Sequence, residues 1–302
     1  MRRMAILSAV LALAAAAGAQ AAPAEYVLPG ATTFPEGVAV RPGSDQFFVT
    51  STTDGTVFRG SLGRERARVF LAPGRHGRVN AIGVKATRDR LIVAGGVTNT
   101  VFVYSLPRGR LVRRFSTGKD GLVNDIALAP NGDAYVTDSR RGIVFRISAR
   151  ALKRRAAAKG ALRPWVRLAG SPTGTYTNGV VAAGRRHLLV VSTGTGALVR
   201  VDVRTKRVRR VDLGGADLPG GDGMALAGRT LYVVNAASRV SQLTISRDWL
   251  RARLVRQITS PRLRFPTTVA VAGRRLLVVN SQFGARGGTP VLPFTVAALR
   301  RP

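Results

Sequence analysis

The sequence has no cysteine and only two histidines, His76 and His187, in 302 residues. Disulfides, Cys-ligated zinc, iron–sulfur clusters and cysteine nucleophiles are therefore excluded. A His-rich redox-metal centre has too few ligands. Neither histidine adjoins a Ser or Asp in a nucleophile motif, so both read as surface or loop residues. Acidic residues are scarce as well, 15 against 48 Lys and Arg, for a net charge of +33. Aromatics make up only 6% of the chain, which leaves few stacking platforms for nucleic acid. No G-x-G-x-x-G leads from a strand into a helix, so nucleotide binding has no support.

The one long apolar run lies at the N-terminus. Arg2 and Arg3 precede Met4 to Gly18, and Ala19-Gln20-Ala21 has the pattern of a cleavage site. Residues 1–21 read as a secretory signal peptide, too short in its apolar part for a membrane span. No later segment is apolar enough to span. The expected product is an exported domain over residues 22–302, in the periplasm, the cell envelope or the medium. Its 45% hydrophobic content can build a core without staples.

The remainder repeats. Six pentads open with a polar residue and continue as small apolar strands. They are Glu36 to Val40, Asn80 to Val84, Asn124 to Leu128, Asn178 to Ala182, Asp222 to Leu226 and Thr267 to Val271. Their spacings are 44, 44, 54, 44 and 45 residues. A second strand follows each pentad, as in Gln46–Thr50, Arg90–Ala94 and Arg275–Val279. A third follows a Gly/Asn/Thr/Ser turn, and in five units a fourth alternates Arg with apolar residues. Four strands at a period near 44 predict an all-β, six-bladed β-propeller with four antiparallel strands per blade. The sixth unit lacks an outer strand, and Tyr26-Val27-Leu28 is expected to supply it and close the ring. The 54-residue spacing reflects an Ala/Lys/Arg-rich insertion, Arg150 to Arg163, expected as a surface loop or short helix.

In such a ring the pentad heads Glu36, Asn80, Asn124, Asn178, Asp222 and Thr267 converge on one channel mouth. Asp54, Asp138, Asn235 and Asn280, which follow second strands, should lie nearby. Carboxylates and carboxamides suit a hard divalent cation, which takes oxygen ligands. Glu is found only at positions 25, 36 and 65, so a Glu at the mouth stands out from the basic exterior. The same residues could alternatively cap strand ends.

The chain resembles the SMP-30/gluconolactonase/LRE-like family. The matching pieces are Phe34-Pro-Glu-Gly-Val-Ala-Val40, Val123-Asn-Asp-Ile126, Thr177-Asn-Gly-Val180 and Gly221-Asp-Gly-Met224. The resemblance covers Tyr26 to about Leu299 and implies one bound divalent cation, with Ca2+ favoured and Zn2+, Mg2+ or Mn2+ as alternatives. It implies Glu36, Asn178 and Asp222 as metal ligands, with Asp222 also the catalytic base. Asn124 is implied to help bind metal or substrate. Asp125 and Asn80 join it on position as candidate substrate contacts. The implied activity is hydrolysis of lactones or related esters. The sugar-specific pattern places Arg two residues before the Asn-Asp motif, where this chain has Leu122. The other reading is a non-enzymatic exported propeller that holds a structural ion and binds a ligand or an anionic envelope polymer. The basic exterior, +31 once Arg2 and Arg3 are removed, would adhere weakly to anionic polymers or lipids. No specific nucleic-acid partner is expected.

Overall fold

The computed structural model describes residues 22–154, 159–168, 170, 176–235 and 238–302. The signal peptide expected over residues 1–21 and residues 155–158 of the insertion lie outside this set. Among the described residues no helix is long and apolar enough to cross a membrane.

The strands follow in chain order. After β1 (Glu25–Val27) come β2 (Pro35–Val40), β3 (Gln46–Ser51), β4 (Val57–Ser61) and β5 (Arg64–Leu71), joined as an antiparallel meander. The next array is β6 (Val84–Ala86), β7 (Arg90–Ala94), β8 (Thr100–Ser105) and β9 (Leu111–Ser116). Then come β10 (Val123–Leu128), β11 (Ala134–Asp138) and β12 (Ile143–Ile147). A short helix α1 (Ala149–Lys153) and β13 (Lys159–Ala161) precede β14 (Pro164–Arg167), which pairs with β12. The fourth array is β15 (Thr177–Ala183), β16 (His187–Ser192), β17 (Leu198–Asp202) and β18 (Val208–Arg210). The fifth is β19 (Met224–Ala227), β20 (Thr230–Asn235), β21 (Arg239–Ile245) and β22 (Ala252–Thr259). Last are β23 (Pro266–Ala272), β24 (Arg275–Asn280) and β25 (Thr295–Arg300).

The middle strands are apolar on both faces because each array is covered on both sides. Leu188 to Val191 and Leu276 to Val279 are completely buried. The core is divided accordingly into clusters between consecutive arrays. One combines Ile92 and Val103 with Val136 and Phe145, and another combines Tyr232 and Val240 with Leu276 and Val278. The innermost strands touch in sequence, β2 on β6, β6 on β10, β10 on β15, β15 on β19 and β19 on β23, and β23 returns to β2. This is a β-propeller arrangement.

As expected, the N-terminal strand is the outer strand of the last array. β1 runs antiparallel to β25, with Glu25 opposite Ala297 and Val27 opposite Thr295. Tyr26 anchors it. Its ring is buried 4.7 Å from Phe47, and its hydroxyl donates to the Leu62 carbonyl at 3.0 Å and accepts from Arg275 at 2.7 Å. One parallel bridge, Val27 to Arg66, also joins β1 to β5, so two four-stranded arrays share one hydrogen-bonded sheet.

The insertion does more than form a loop. Ser148 caps α1 by accepting from the Ala151 N–H at 3.2 Å, and Leu152 is buried beneath. The chain then adds β13 to the free edge of β9 in the preceding array, with Lys159 opposite Arg114. An open strand edge is thereby covered.

Candidate functional site

The ends of the innermost strands are shaped by bulges. Register shifts fall between Pro35 and Val38, Val123 and Ile126, Thr177 and Val180, and Pro266 and Val269. Each holds a pentad head and the residue after it, and a bulge re-aims side chains in this way. The pairs Val38–Val49, Val84–Val93, Ile126–Val136, Val180–Val190, Met224–Val233 and Val269–Val278 are equivalent across the arrays. The equivalent heads are therefore Glu36, Ile82, Asn124, Asn178, Asp222 and Thr267. The second pentad is displaced from the sequence alignment by two residues. Asn80 sits one pleat upstream of the head position, which Ile82 occupies.

The residue after each head explains the motif glycines. A Cβ on Gly37 would lie 2.4 Å from the Ile82 carbonyl oxygen, on Gly83 2.3 Å from that of Asn124, and on Gly179 2.3 Å from that of Asp222. These glycines allow one array to approach the head of the next. Asp125 occupies the same position in the third array. Its Oδ1 accepts from the Ile126 N–H at 2.7 Å and from Lys85 at 3.3 Å, and its Oδ2 accepts from the Val180 N–H at 3.0 Å. Both oxygens are thus occupied in joining arrays.

Four heads keep an acceptor oxygen that is buried and without a partner: Glu36 Oε2, Asn124 Oδ1, Asn178 Oδ1 and Asp222 Oδ1. The amide orientations are fixed by their donors. Asn124 Nδ2 donates to Ser139 Oγ at 2.8 Å, and Asn178 Nδ2 donates to Thr193 Oγ1 at 2.9 Å and also serves Asp222. Asn80 donates to the Thr52 carbonyl, and its Oδ1, also without a partner, abuts Gly96. Thr267 is different. Its hydroxyl donates to the Glu36 carbonyl at 3.0 Å and meets Ser281 Oγ, so it joins the last array to the first.

The Ser and Thr residues that orient the heads went unnoticed in the sequence. A signal was present, since Ser139 and Thr193 each lie 15 residues after their Asn. Asp54, Asp138, Asn235 and Asn280 do not join the acceptor group. Asp54 accepts from Ser51 and Thr56, Asp138 pairs with Arg141 at 2.6 Å, and Asn235 accepts from Ser241. Asn280 accepts from the Arg264 N–H and donates to Thr295.

Glu36 and Asp222 sense each other and Asp125 across the channel. Burial, and then the negative charges of Asp222 and Asp125, push the Glu36 carboxyl well above its usual range, with Lys85 opposing. Burial and then Asp125 push Asp222 up to about 8, against hydrogen bonds from Asn178 and Gly223. Below this layer the channel is a cavity of about 310 Å3. It is lined by residues such as Val38, Val180, Met224 and Val269, with Lys85 as its single charge.

Buried acceptors without donors carry an uncompensated desolvation cost. A divalent cation would relieve it, since two carboxylates would balance its charge and carboxamide oxygens would add ligands. Among the described residues no three His, Cys, Asp or Glu side chains group at metal-ligating spacing. The donor set here mixes carboxylates with carboxamides, as suits a hard ion rather than a soft one.

No family model and no curated protein matches the chain, so the family resemblance stands on the residues of the four motifs. Solved structures do match. Virginiamycin B lyase from Staphylococcus aureus aligns with a TM-score of 0.60 at 10% identity, over 91% of this chain and 98% of that one. The major allergen Mala s 1 of Malassezia sympodialis gives 0.70 at 14%, over 91% and 96%. Hydrazine synthase of Kuenenia stuttgartiensis gives 0.60 at 14%, over 90% and 97%. At such identities the likeness concerns the fold, and it agrees with the propeller.

Proposed function

We propose that the chain is an exported six-bladed propeller of SMP-30/gluconolactonase type that hydrolyses lactones or related esters with one divalent cation, Ca2+ by preference. The observation that carries the reading is the set of four unpartnered acceptor oxygens on Glu36, Asn124, Asn178 and Asp222. Glu36, Asn178 and Asp222 would hold the ion, with Asn124 beside them. A bound ion of this kind supplies Lewis acidity toward a carbonyl and lowers the pKa of water.

The chain's own groups then have separate tasks. Asp222, ionised when the cation replaces its proton, would take the proton from the attacking water. Asn178, tied to Thr193, keeps Asp222 in place through its amide N–H. The Asn124 oxygen would accept from a donor on the substrate, whereas that of Asn80 packs against Gly96. Asp125, held by Lys85, adds negative charge and fixes the third array against the fourth.

A histidine-dependent lyase reaction has less support. A histidine-to-alanine variant of the staphylococcal lyase is described as catalytically inactive. In this chain His187 starts β16 opposite Ala183, at the far end of its array, and His76 lies in the crossover from β5 to β6.

Elemental analysis of the purified protein and assay on a lactone and aryl-ester panel, with and without chelator, test the reading. A stoichiometric divalent ion and chelator-sensitive turnover are expected. A bound ion without turnover on any lactone or ester would leave a propeller with a structural ion. Absence of any divalent ion would overturn the ligand assignment.

A further inference from the structure

Two residues upstream of each head, six positions form the lip of the mouth: Phe34, Asn80, Leu122, Tyr176, Gly220 and Phe265. Their equivalence is visible in a recurring bond. The Thr52, Ser139, Thr193 and Ser281 N–H groups donate to the carbonyls of Phe34, Leu122, Tyr176 and Phe265 at 2.9 to 3.3 Å. At Gly220 the backbone is left-handed, with φ 61°, as glycine readily allows. Phe34, Tyr176 and Phe265 adopt the same region, with φ 38°, 60° and 47°. Bulky residues rarely do so, and strain of this kind gathers at ligand clamps. Glycine would serve the turn; an aromatic there adds a side chain at the mouth.

The lip is also where apolar surface is exposed. Tyr176 is 56% and Phe265 40% exposed. Val79, Val97, Val291 and Leu292, in loops at the same end of the arrays, are exposed as well. Among the described residues only Val69 and Val255, on outer strands, are large exposed apolar residues elsewhere. An apolar rim around a polar centre marks a ligand mouth.

One arginine is built into this rim. The Arg286 guanidinium lies over two rings, 5.2 Å from that of Phe34 and 4.4 Å from that of Phe283. Its Nη2 donates to Thr52 Oγ1, on the residue whose carbonyl holds Asn80. The loop that carries it is fixed by Gln282, whose amide makes two bonds to the Val291 backbone, both 2.8 Å. Arg141 and Arg264 pair with Asp138 and Glu25, whereas no carboxylate pairs with Arg286 among the described residues. The arginine-lined hollows on the outside, such as that of Arg59, Arg64, Arg66 and Arg68, are what so basic a composition produces anywhere. Arg286 differs in lying over two aromatic rings at the mouth.

We propose that the mouth takes a ligand with an apolar, flat body and one carboxylate, with Arg286 as the carboxylate receptor and Tyr176 and Phe265 against the body. A guanidinium with one edge on Thr52 has a second edge to offer, and its planar fork matches a carboxylate. Leu122 on the lip fits an apolar ligand better than a polyhydroxylated sugar. This inference rests on the reading of the mouth as a ligand site, but not on turnover.

The test is calorimetric titration of the Ca2+-supplemented protein with 2-naphthoate, 2-naphthamide and gluconate, at about 0.15 M salt to screen the diffuse positive field. Naphthoate should bind at least about 10-fold more tightly than the amide, the margin of one charge-assisted hydrogen bond. Gluconate should bind more weakly than both. Arg286→Met should abolish the preference for naphthoate, Arg286→Lys should keep part of it, and Arg256→Met, on an outer strand, should keep all of it. Unchanged melting temperatures confirm folding of the variants. Equal binding of acid and amide, full naphthoate affinity in Arg286→Met, or an equal loss in Arg256→Met would overturn the proposal. Arg286-dependent binding without turnover would leave it standing while the hydrolase reading falls. Turnover of neutral lactones without any carboxylate preference would do the reverse.

Discussion

The hydroxyl of Thr193 accepts from the Asn178 amide at 2.9 Å and donates to the Gly221 carbonyl at 2.7 Å, so its polarity is fixed. Asn178 must present its nitrogen to Thr193, which leaves Oδ1 as the free acceptor. Groups that orient a ligand typically account for 10- to 100-fold in metal affinity. Thr193→Val should therefore weaken Ca2+ binding by about 10-fold or more, whereas Thr193→Ser, which keeps both bonds, should restore it. Isothermal titration of chelator-stripped protein checks this.

The metal-free protein should lose stability as pH rises from about 4 to about 8. Asp222 titrates at 3.8 when unperturbed and at about 8 in the fold, and Glu36 is raised in the same direction. In that window the native state holds more protons than the unfolded chain, so unfolding becomes easier as pH rises. The contribution is complete below the unfolded value and gone above the folded one. Ca2+ should cancel the decline, since it takes the place of the proton. Thermal melts at pH 5 and pH 8, with chelator and with Ca2+, give the comparison. A chelated protein equally stable at both would contradict the buried, mutually repelling carboxylates.

Asp222→Asn and Glu36→Gln should both abolish stoichiometric metal and any esterase activity. In metal-free protein at pH 8 they should also raise the melting temperature above that of wild type, because an amide has no charge to bury. Mass-spectrometric metal analysis and differential scanning calorimetry read the two effects separately.

Gly179→Ala should destabilise the protein by about 1–3 kcal/mol, the usual cost of overpacking. Its Cβ would come within 2.3 Å of the Asp222 carbonyl oxygen. Because that contact positions a ligand-bearing backbone, metal affinity should fall too. Urea unfolding and metal titration of the same variant test whether this glycine serves packing.

Tyr26→Ala should cost about 3–5 kcal/mol, as for other large buried aromatics. It removes the ring packed on Phe47 and the hydroxyl that bonds the Leu62 carbonyl and Arg275. Protease sensitivity should rise first between residues 22 and 34, where β1 would come away from β25.

The repeat and the closing strand were legible because period-2 apolar runs at near-constant spacing survive in a single sequence. The order of the arrays and the placement of Glu36, Asn124, Asn178 and Asp222 follow from that pattern. The second pentad was misaligned for the same reason. A shift by two residues keeps every side chain on its face, so Asn80 and Ile82 are equally good heads in the pattern, and only the Val84–Val93 pairing separates them. β13 was hidden because its partner β9 lies in another array, and Lys-Gly-Ala carries no strand signal. The roles of Ser139 and Thr193 depend on distances across two strands, which spacing alone suggests but does not establish.

The pairing of Glu25 with Ala297 makes closure of the ring a non-local event. The last sheet joins strands some 270 positions apart, so it forms only when these two distant segments meet. Until they pair, the facing edges of β1 and β25 stay open. Non-local closure of this kind is slow and exposes unpaired edges meanwhile. The dense positive charge would keep chains with such open edges apart before closure.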